Sequence, residues 1–332
     1  LVASLGGSAL VADILELLAE PASPVPVRTR HNVPLPGWVG ALDLVVAVSH
    51  SGRARGPLAL AAEAARRGCS LLTVGATGSP LAEVCARAHG IHVDVPSGRT
   101  STRTAFWSLV TPVVLAADAL GLVRSVRPVL APLADRLDTH AEAFRPSSEA
   151  FVNPAKALAA ELADGIPVVL GDGPLAGVAA RRAAVMLART ARMPVSWGEL
   201  PDAASQVVAL FDGPYTQTWA DRRGGRSPLD DVFRDPYLDG APEPRLRLLV
   251  LRDAPEDSEA GQRRAELADA IVLTARDAGV RVSEFAAEPG HPLERLADQV
   301  ALVDFAATYL ALGLGLDPAL SPHLADLRDR TR

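Results

Sequence analysis

Residues 46–56 read VAVSHSGRARG. Ser49, Ser51 and Gly52 stand between a β-branched apolar run and an Ala-rich stretch of helical period. A tight turn from strand into helix leaves main-chain N–H groups at the positive end of the helix dipole, where an anion binds. Two serines one residue apart add hydroxyl donors, and Gly52 permits close backbone approach. Arg53 and Arg55 add the charge that a dianion such as a phosphate monoester requires. The same residue types also serve as an ordinary helix cap with a solvated basic flank. A second turn, SLGGSAL at residues 4–10, carries Gly6, Gly7 and Ser8. It lacks the G-x-G-x-x-G spacing of a dinucleotide site, so a sugar hydroxyl or phosphate oxygen suits it better than nicotinamide. Its plainer role is that Ser8 caps the helix that follows. His89, His92 and Asp94 have a ligand-like H-x-x-H-x-D spacing, but they straddle a helix end and a strand and fit a metal poorly.

Such turns need a scaffold of strands that end where helices begin. Apolar β-branched runs alternate with longer Ala/Leu/Arg stretches of helical period along the whole chain, the pattern of βα units around a parallel sheet. In the first half this predicts strands at 1–5, 25–28, 44–48, 70–74 and 91–95. Helices are predicted near 8–19, 57–67, 80–88 and 102–122, with Ser79 as a cap and Pro80 in the first helical position. Residues 123–153 turn charged and Pro-interrupted, as a crossing helix or linker does. The alternation then restarts, with strands at 166–170, 193–196, 246–251 and 280–285 and helices near 154–163, 175–190, 259–278 and 293–314. Residues 212–244, rich in Gly, Pro, Asp and Arg, read as a long loop. SLGGSALVA at 4–12 and VLGDGPLAGVA at 169–179 each open one half with strand, glycine turn and helix, a faint internal repeat.

Composition narrows the partners. With 332 residues, 48% hydrophobic and 22% charged, the chain is globular and long enough for two domains. A formal charge of −6 argues against nucleic acid and anionic membranes. Lys156 is the only lysine, which removes amine chemistry from nearly every position. Cys69 and Cys85 are too few for a disulfide framework and lack metal spacing, which predicts buried free thiols in a reducing compartment. No apolar run of about 18–20 residues is seen and no signal-peptide pattern opens the chain, so a cytoplasmic protein is expected.

SLGGSAL followed by AVSHSG resembles the SIS (sugar isomerase) domain, and more narrowly the two-domain phosphoglucose/phosphomannose isomerase branch. That branch carries G-M-G-G-S-A, S-Y-S-G-N-T, a P-R-A segment before a long helix, G-D-F-x-S-x-Y-L-A and a V-D-P turn. The counterparts here, in the same order, are Leu5–Ala9, Ser49–Ala54, Thr102–Ala105 with Arg103 in the Arg position, Val303–Ala311 and Leu316–Pro318. The resemblance implies two SIS-type αβα sandwich domains with parallel sheets flanked by helices, at 1–145 and 150–332. It implies a phosphosugar ligand held by Gly6, Gly7, Ser8, Ser49, His50, Ser51, Gly52, Arg53 and Arg103. It further implies aldose–ketose isomerisation of a hexose 6-phosphate through a cis-enediol, without cofactor or metal, in a homodimer whose site forms at domain and subunit boundaries.

The family draws its base, a glutamate, from a P-E-L-N-H-N-E segment. WGELPDAASQV stands in that place here, which implies that Glu199 is the base; without the resemblance it reads as a surface carboxylate. The family's His falls on Asp202, its second Glu on Ala204, its phosphate-loop Asn on Arg53 and Thr on Ala54. The C-terminal lysine is absent, with Arg328 the nearest basic residue. His291, just before the last long helix, is a candidate substitute with a catalytic or substrate-contact role, and His50, which replaces the aromatic of the phosphate loop, is a candidate ligand contact. Two functions follow: an isomerase, or a sugar-phosphate-binding protein without turnover. A sugar-responsive transcription regulator would need a helix-turn-helix and a basic face, and neither is visible.

Overall fold

In the computed structural model, which describes residues 1–99, 101–222 and 245–330, the chain forms two compact units, Leu1–Leu130 and Ala131–Arg332. In the first, strands β1 (Val2–Ser4), β2 (Thr29–Arg30), β3 (Leu44–Ser49), β4 (Ser70–Gly75) and β5 (Ile91–Asp94) form one parallel sheet of order β2-β1-β3-β4-β5. Helices α1 (Ala9–Ala19), α2 (Arg55–Arg66), α3 (Pro80–Arg87) and α4 (Phe106–Ala119) connect and cover it. β3 is buried from Val45 to Ser49 without alternation, because a parallel strand with helices on both faces must be apolar on both. Val45, Ala47 and Leu71 pack against Leu60, Ala61 and Ala64 of α2 and against Leu81 and Cys85 of α3. Each such side chain, fully buried, contributes roughly 1.5–3 kcal/mol for a residue of Val or Leu size. Cys69 and Cys85 are buried and unpaired, and each therefore acts as a small apolar group.

The second unit begins within α5 (Leu130–Ala143) and continues with α6 (Pro154–Leu162), β6 (Gly165–Gly171), α7 (Pro174–Met186), β7 (Ser196–Glu199), α8 (Ala204–Leu210) and α9 (Gln217–Arg222). It then runs through β8 (Arg245–Arg252), α10 (Glu259–Asp277), β9 (Arg281–Ala286), α11 (Pro292–Gly313) and α12 (Pro322–Arg330). The sheet is again parallel, of order β7-β6-β8-β9. That is the order of β2-β1-β3-β4, so the repeat seen in the two glycine turns extends to the topology of both sheets. Val168, Leu170, Leu248 and Val250 pack on Val207 of α8 and on Ala268, Ile271 and Val272 of α10. α11 and α7 cover the other face, joined by the Arg182–Asp304 ion pair, with Arg182 completely buried.

Several expectations are corrected. The short second strand lies at Thr29–Arg30 rather than 25–28, and β7 lies at Ser196–Glu199 rather than 193–196. Both are edge strands with exposed positions, where apolar alternation is weak: Trp197 is 42% exposed. Residues 217–222 of the expected loop are helical, 212–216 form turns, and 223–244 lie outside the described residues. The expectation that no segment reaches membrane-span length also fails, because α11 has 22 residues and sufficient hydropathy. Its most apolar window is 67% buried inside the unit, as a central Ala/Leu helix of a sandwich must be.

Candidate functional site

A parallel sheet of order β2-β1-β3 leaves a crevice beyond the C-terminal ends of β1 and β3, because the two crossovers depart to opposite sides there. The first unit places both sequence-predicted turns at this point. Gly6–Ser8 forms a 3-10 turn directly after β1, with Gly6 at φ +61°. Ser8 is buried; its Oγ accepts from Leu5 N at 3.4 Å and lies 3.0 Å from Leu5 O and 3.4 Å from Val48 O. It therefore makes no side-chain cap to α1 but ties the first turn to the strand that carries the second. Ser49, also buried, accepts from Ala54 N at 3.4 Å, while the exposed Ser51 accepts from Arg53 N at 3.3 Å. Neither serine is the N-cap of α2. That position belongs to Ala54, and it has no side-chain cap bond.

Gly52 is the hinge of this loop. It adopts φ +61°, its N–H donates to Ser49 O at 2.8 Å, and its carbonyl accepts from Leu81 N at 3.1 Å. A Cβ there would overlap the Ser79 side chain, whose Oγ caps α3 by accepting from Ala82 N. Gly52→Ala should therefore lose roughly 1–3 kcal/mol of stability. It should also bind phosphate ligands about tenfold more weakly, roughly a 1.4 kcal/mol effect; thermal unfolding and a phosphate titration read the two. His50 is partly buried and Arg53 exposed in the same loop. Arg103 lies in the turn before α4, where its main-chain N and Nε both donate to Ser101 Oγ at 3.2 Å. α4 itself packs on α1 and on the Gly6–Ser8 turn.

In the second unit Glu199 ends β7, paired in register with Gly171 at the end of β6. Its carboxylate lies against Gly177 in the first turn of α7, so closely that a Cβ at Gly177 would overlap Glu199 Oε2. The glycine makes the cradle. Gly177→Ala should displace Glu199; with Glu199 as the base that the resemblance implies, turnover should fall about 10²-fold, the scale of an ångström-sized misplacement of a reacting group. Steady-state kinetics with unchanged KM would confirm the effect. Asp202 is exposed and Ala204 opens α8, so the turn after β7 has an exposed carboxylate in place of the imidazole and a methyl group in place of the second glutamate.

His291 is the N-cap of α11. Its Nδ1 accepts from Leu293 N at 3.2 Å, and Glu294 Oε2 accepts from His291 N at 2.9 Å. Burial pushes the imidazole below its ordinary pKa, so the neutral form with Nε2–H predominates. The turn that carries it is clamped by Asp298. That carboxylate accepts from Arg136 Nε at 2.6 Å, from Arg136 Nη2 at 2.5 Å and from Glu288 N at 2.9 Å, and lies 2.7 Å from His140 Nε2. Burial alone would raise the Asp298 pKa; the hydrogen bonds from His140 and Arg136 outweigh it and hold the group low. Arg328 lies on α12.

The second unit has its own crevice, at the ends of β6 and β8, and it is filled differently. Arg264 Nε stands 3.0 Å from Asp172 Oδ1, and Arg295 Nη1 donates to Asp253 Oδ1 at 2.9 Å. Burial raises both carboxyls above their usual range, against the pull of Arg264 on Asp172 and of Arg295 on Asp253. The Arg264 side chain lies over Gly173, which a Cβ would bring against it. The anion position of the fold is here occupied by the chain's own ion pairs.

The H-x-x-H-x-D spacing separates in space. His89 ends a helix at φ +53°, while His92 Nδ1 lies 2.6 Å from Thr73 Oγ1 and its Nε2 3.3 Å from Asp94. Among the described residues no three His, Cys, Asp or Glu side chains form a metal-ligand group. One residue near the first crevice escaped sequence reasoning: His31, whose ring is 2.7 Å from Ser4 O at the end of β1. Its only sequence signal is its place at the end of a weak edge strand.

Two parallel αβα layers with glycine turns at their switch points define a SIS-type fold, and similar solved structures agree. A hypothetical protein from Thermus thermophilus superposes over 100% of this chain and 82% of its own, with TM-score 0.68 at 16% identity. Tagatose-6-phosphate ketose/aldose isomerase from Escherichia coli does so over 96% of this chain and 82% of its own, with TM-score 0.65 at 14% identity. The chain belongs to the family of the bacterial phospho-glucose isomerase C-terminal SIS domain, whose model matches residues 151–331. A bifunctional phosphoglucose/phosphomannose isomerase of Caldicellulosiruptor bescii is 25% identical over 181 residues, 54% of this chain. The match spans about half of that relative, 53% of its length.

Proposed function

We propose that this protein is a phosphosugar isomerase acting on a hexose 6-phosphate, interconverting fructose 6-phosphate with glucose or mannose 6-phosphate. The observation that carries the reading is the Glu199 carboxylate, cradled by Gly177 at the end of β7, within the region matched by the phospho-glucose isomerase family. The Gly6–Ser8 and Ser49–Arg53 turns, with Arg103, are assigned to the phosphosugar. Ser49 and Ser51 hydroxyls and main-chain N–H groups take phosphate oxygens, and arginine supplies the countercharge. Glu199 takes the proton from C2 of the open-chain aldose while O1 gains a proton, which gives the cis-enediol; it returns the proton to C1 while O2–H gives up its own, which forms the ketose. The reaction needs no redox cofactor because the oxidation at one carbon is balanced by reduction at its neighbour. His291, presenting Nε2–H, is assigned to a sugar oxygen as a donor. A homodimer is the expected working form.

Proton NMR with fructose 6-phosphate in deuterated water tests the reading. New glucose or mannose 6-phosphate signals, or deuterium incorporated at C1 or C2, are expected. Line-broadening of the sugar phosphate with neither product nor exchange over hours would overturn it in favour of a binding protein without turnover. That second reading draws on Asp202 and Ala204, which stand where the family carries a His and a Glu.

A further inference from the structure

β2 ends at Arg30, and the next residue, His31, is exposed. Its Nδ1 lies 2.7 Å from the carbonyl oxygen of Ser4. A carbonyl oxygen only accepts, so Nδ1 must carry the hydrogen, and in the neutral ring Nε2 then keeps its lone pair. Ser4 is the last residue of β1, and the Gly6–Ser8 turn begins two residues later. The main chain of His31 is held from a different side. Gly56, in the first turn of α2, approaches so closely that a Cβ there would overlap the His31 carbonyl oxygen and stand 3.6 Å from Asn32 Cα. One residue is thus pinned both to the strand that leads into the first turn and to the helix that follows the second. These are the two elements that make the switch-point crevice.

An anchor for this turn needs only a donor toward Ser4 O, which an amide or a hydroxyl would supply. An imidazole adds a fixed tautomer and a basic nitrogen, and no hydrogen bond to Nε2 is present among the described residues. The other two histidines assigned to the site differ from it. His291 commits Nδ1 as an acceptor and presents a donor, whereas His50 lies partly buried within the Ser49–Gly52 loop itself. Opening a hexose ring needs a group that first accepts a proton and then gives it back, which is the capacity His31 holds.

We propose that His31 is a further catalytic residue of the phosphosugar site, an inference that rests on the function proposed above. Its Nε2 takes the proton of the anomeric hydroxyl, and the O1 electron pair closes the C1=O1 double bond. In the aldose the C1–O5 bond breaks with its electrons passing to O5, and O5 takes the proton back from Nε2; in fructose 6-phosphate the same exchange runs from the O2 hydroxyl, with C2=O2 formed and the C2–O5 bond broken. The imidazole ends neutral, as it began, and the sugar is released to its open chain.

The test is a long-range proton–nitrogen NMR titration of the full chain's histidine rings, together with main-chain amides, using fructose 6-phosphate and separately inorganic phosphate. The expected result is that both ligands shift the Ser49–Gly52 amides while only fructose 6-phosphate shifts His31 Nε2. His31→Gln should then lower kcat about 10²-fold with KM nearly unchanged, the usual scale for a lost acid–base group. Shifted amides with an unmoved His31 Nε2, or wild-type turnover in His31→Gln, would overturn the role of His31 and leave the phosphosugar reading standing. Unshifted amides with both ligands would overturn the phosphosugar reading, and His31 with it. Should His31→Gln fail to fold, the wild-type titration still decides.

Discussion

Glu199→Gln is expected to lower the turnover of fructose 6-phosphate about 10²- to 10⁴-fold, the range associated with losing a positioned general base. Glutamine matches glutamate in shape, so it can occupy the same cradle over Gly177 and keep β7 in register with Gly171. What it loses is the ability to accept a proton from carbon. KM should therefore change little, because the deficit lies in the transition state rather than in ground-state binding. Deuterium uptake at C1 and C2 should fall in parallel with product formation. A variant that exchanges deuterium at the wild-type rate would remove Glu199 from the mechanism, whatever the fate of the phosphate loop. Gly177→Ala makes a useful companion, since it keeps the carboxylate and moves it.

The second large effect concerns stability. Asp304→Ala should cost the second unit about 3–5 kcal/mol, the penalty for leaving a buried charge without its partner. Arg182 is completely buried, and it donates to Asp304 Oδ1 at 2.9 Å and to Oδ2 at 2.7 Å. For a unit of this size the loss corresponds to a fall in Tm of about 10 °C, at roughly 2–4 °C per kcal/mol. The double variant Arg182→Met with Asp304→Leu should recover most of it, because two apolar side chains escape the desolvation cost of the ion pair. Calorimetry of the single and double variants checks both statements. A single variant that melts like the wild type would mean the pair contributes nothing to holding α7 against α11.

How far the sequence reveals the molecule depends on the range of the interaction. The βα alternation, the Ser79–Pro80 start of α3 and the glycine turns after β1, β3 and β6 were legible, because each is decided within a few residues. Each of these signals predicts its element from local grammar alone. The edge strands were misplaced because their side chains are only partly packed, so apolar alternation carries little information there. α5 reads equally as helix or linker, because its order comes from Arg136 and His140 meeting Asp298, partners about 160 residues away. The same limit governs the candidate site. Residue types singled out Ser8, Ser49 and Gly52, but not that Ser8 spends its hydroxyl on bonds to the main chain, where Val48 O lies 40 residues away. Nor could they place His31 against Ser4 O or set Glu199 over Gly177, because both are contacts between elements.

The chain is built twice on one topology, yet its two crevices are not alike. The first carries the Ser8 and Ser49 hydroxyls, each engaged by main chain, in the turns after β1 and β3. The second is closed by Asp172 with Arg264 and by Asp253 with Arg295, which neutralise each other before any ligand arrives. Duplication has therefore not doubled capacity: under the proposed function, occupancy is expected to saturate at one phosphosugar per chain.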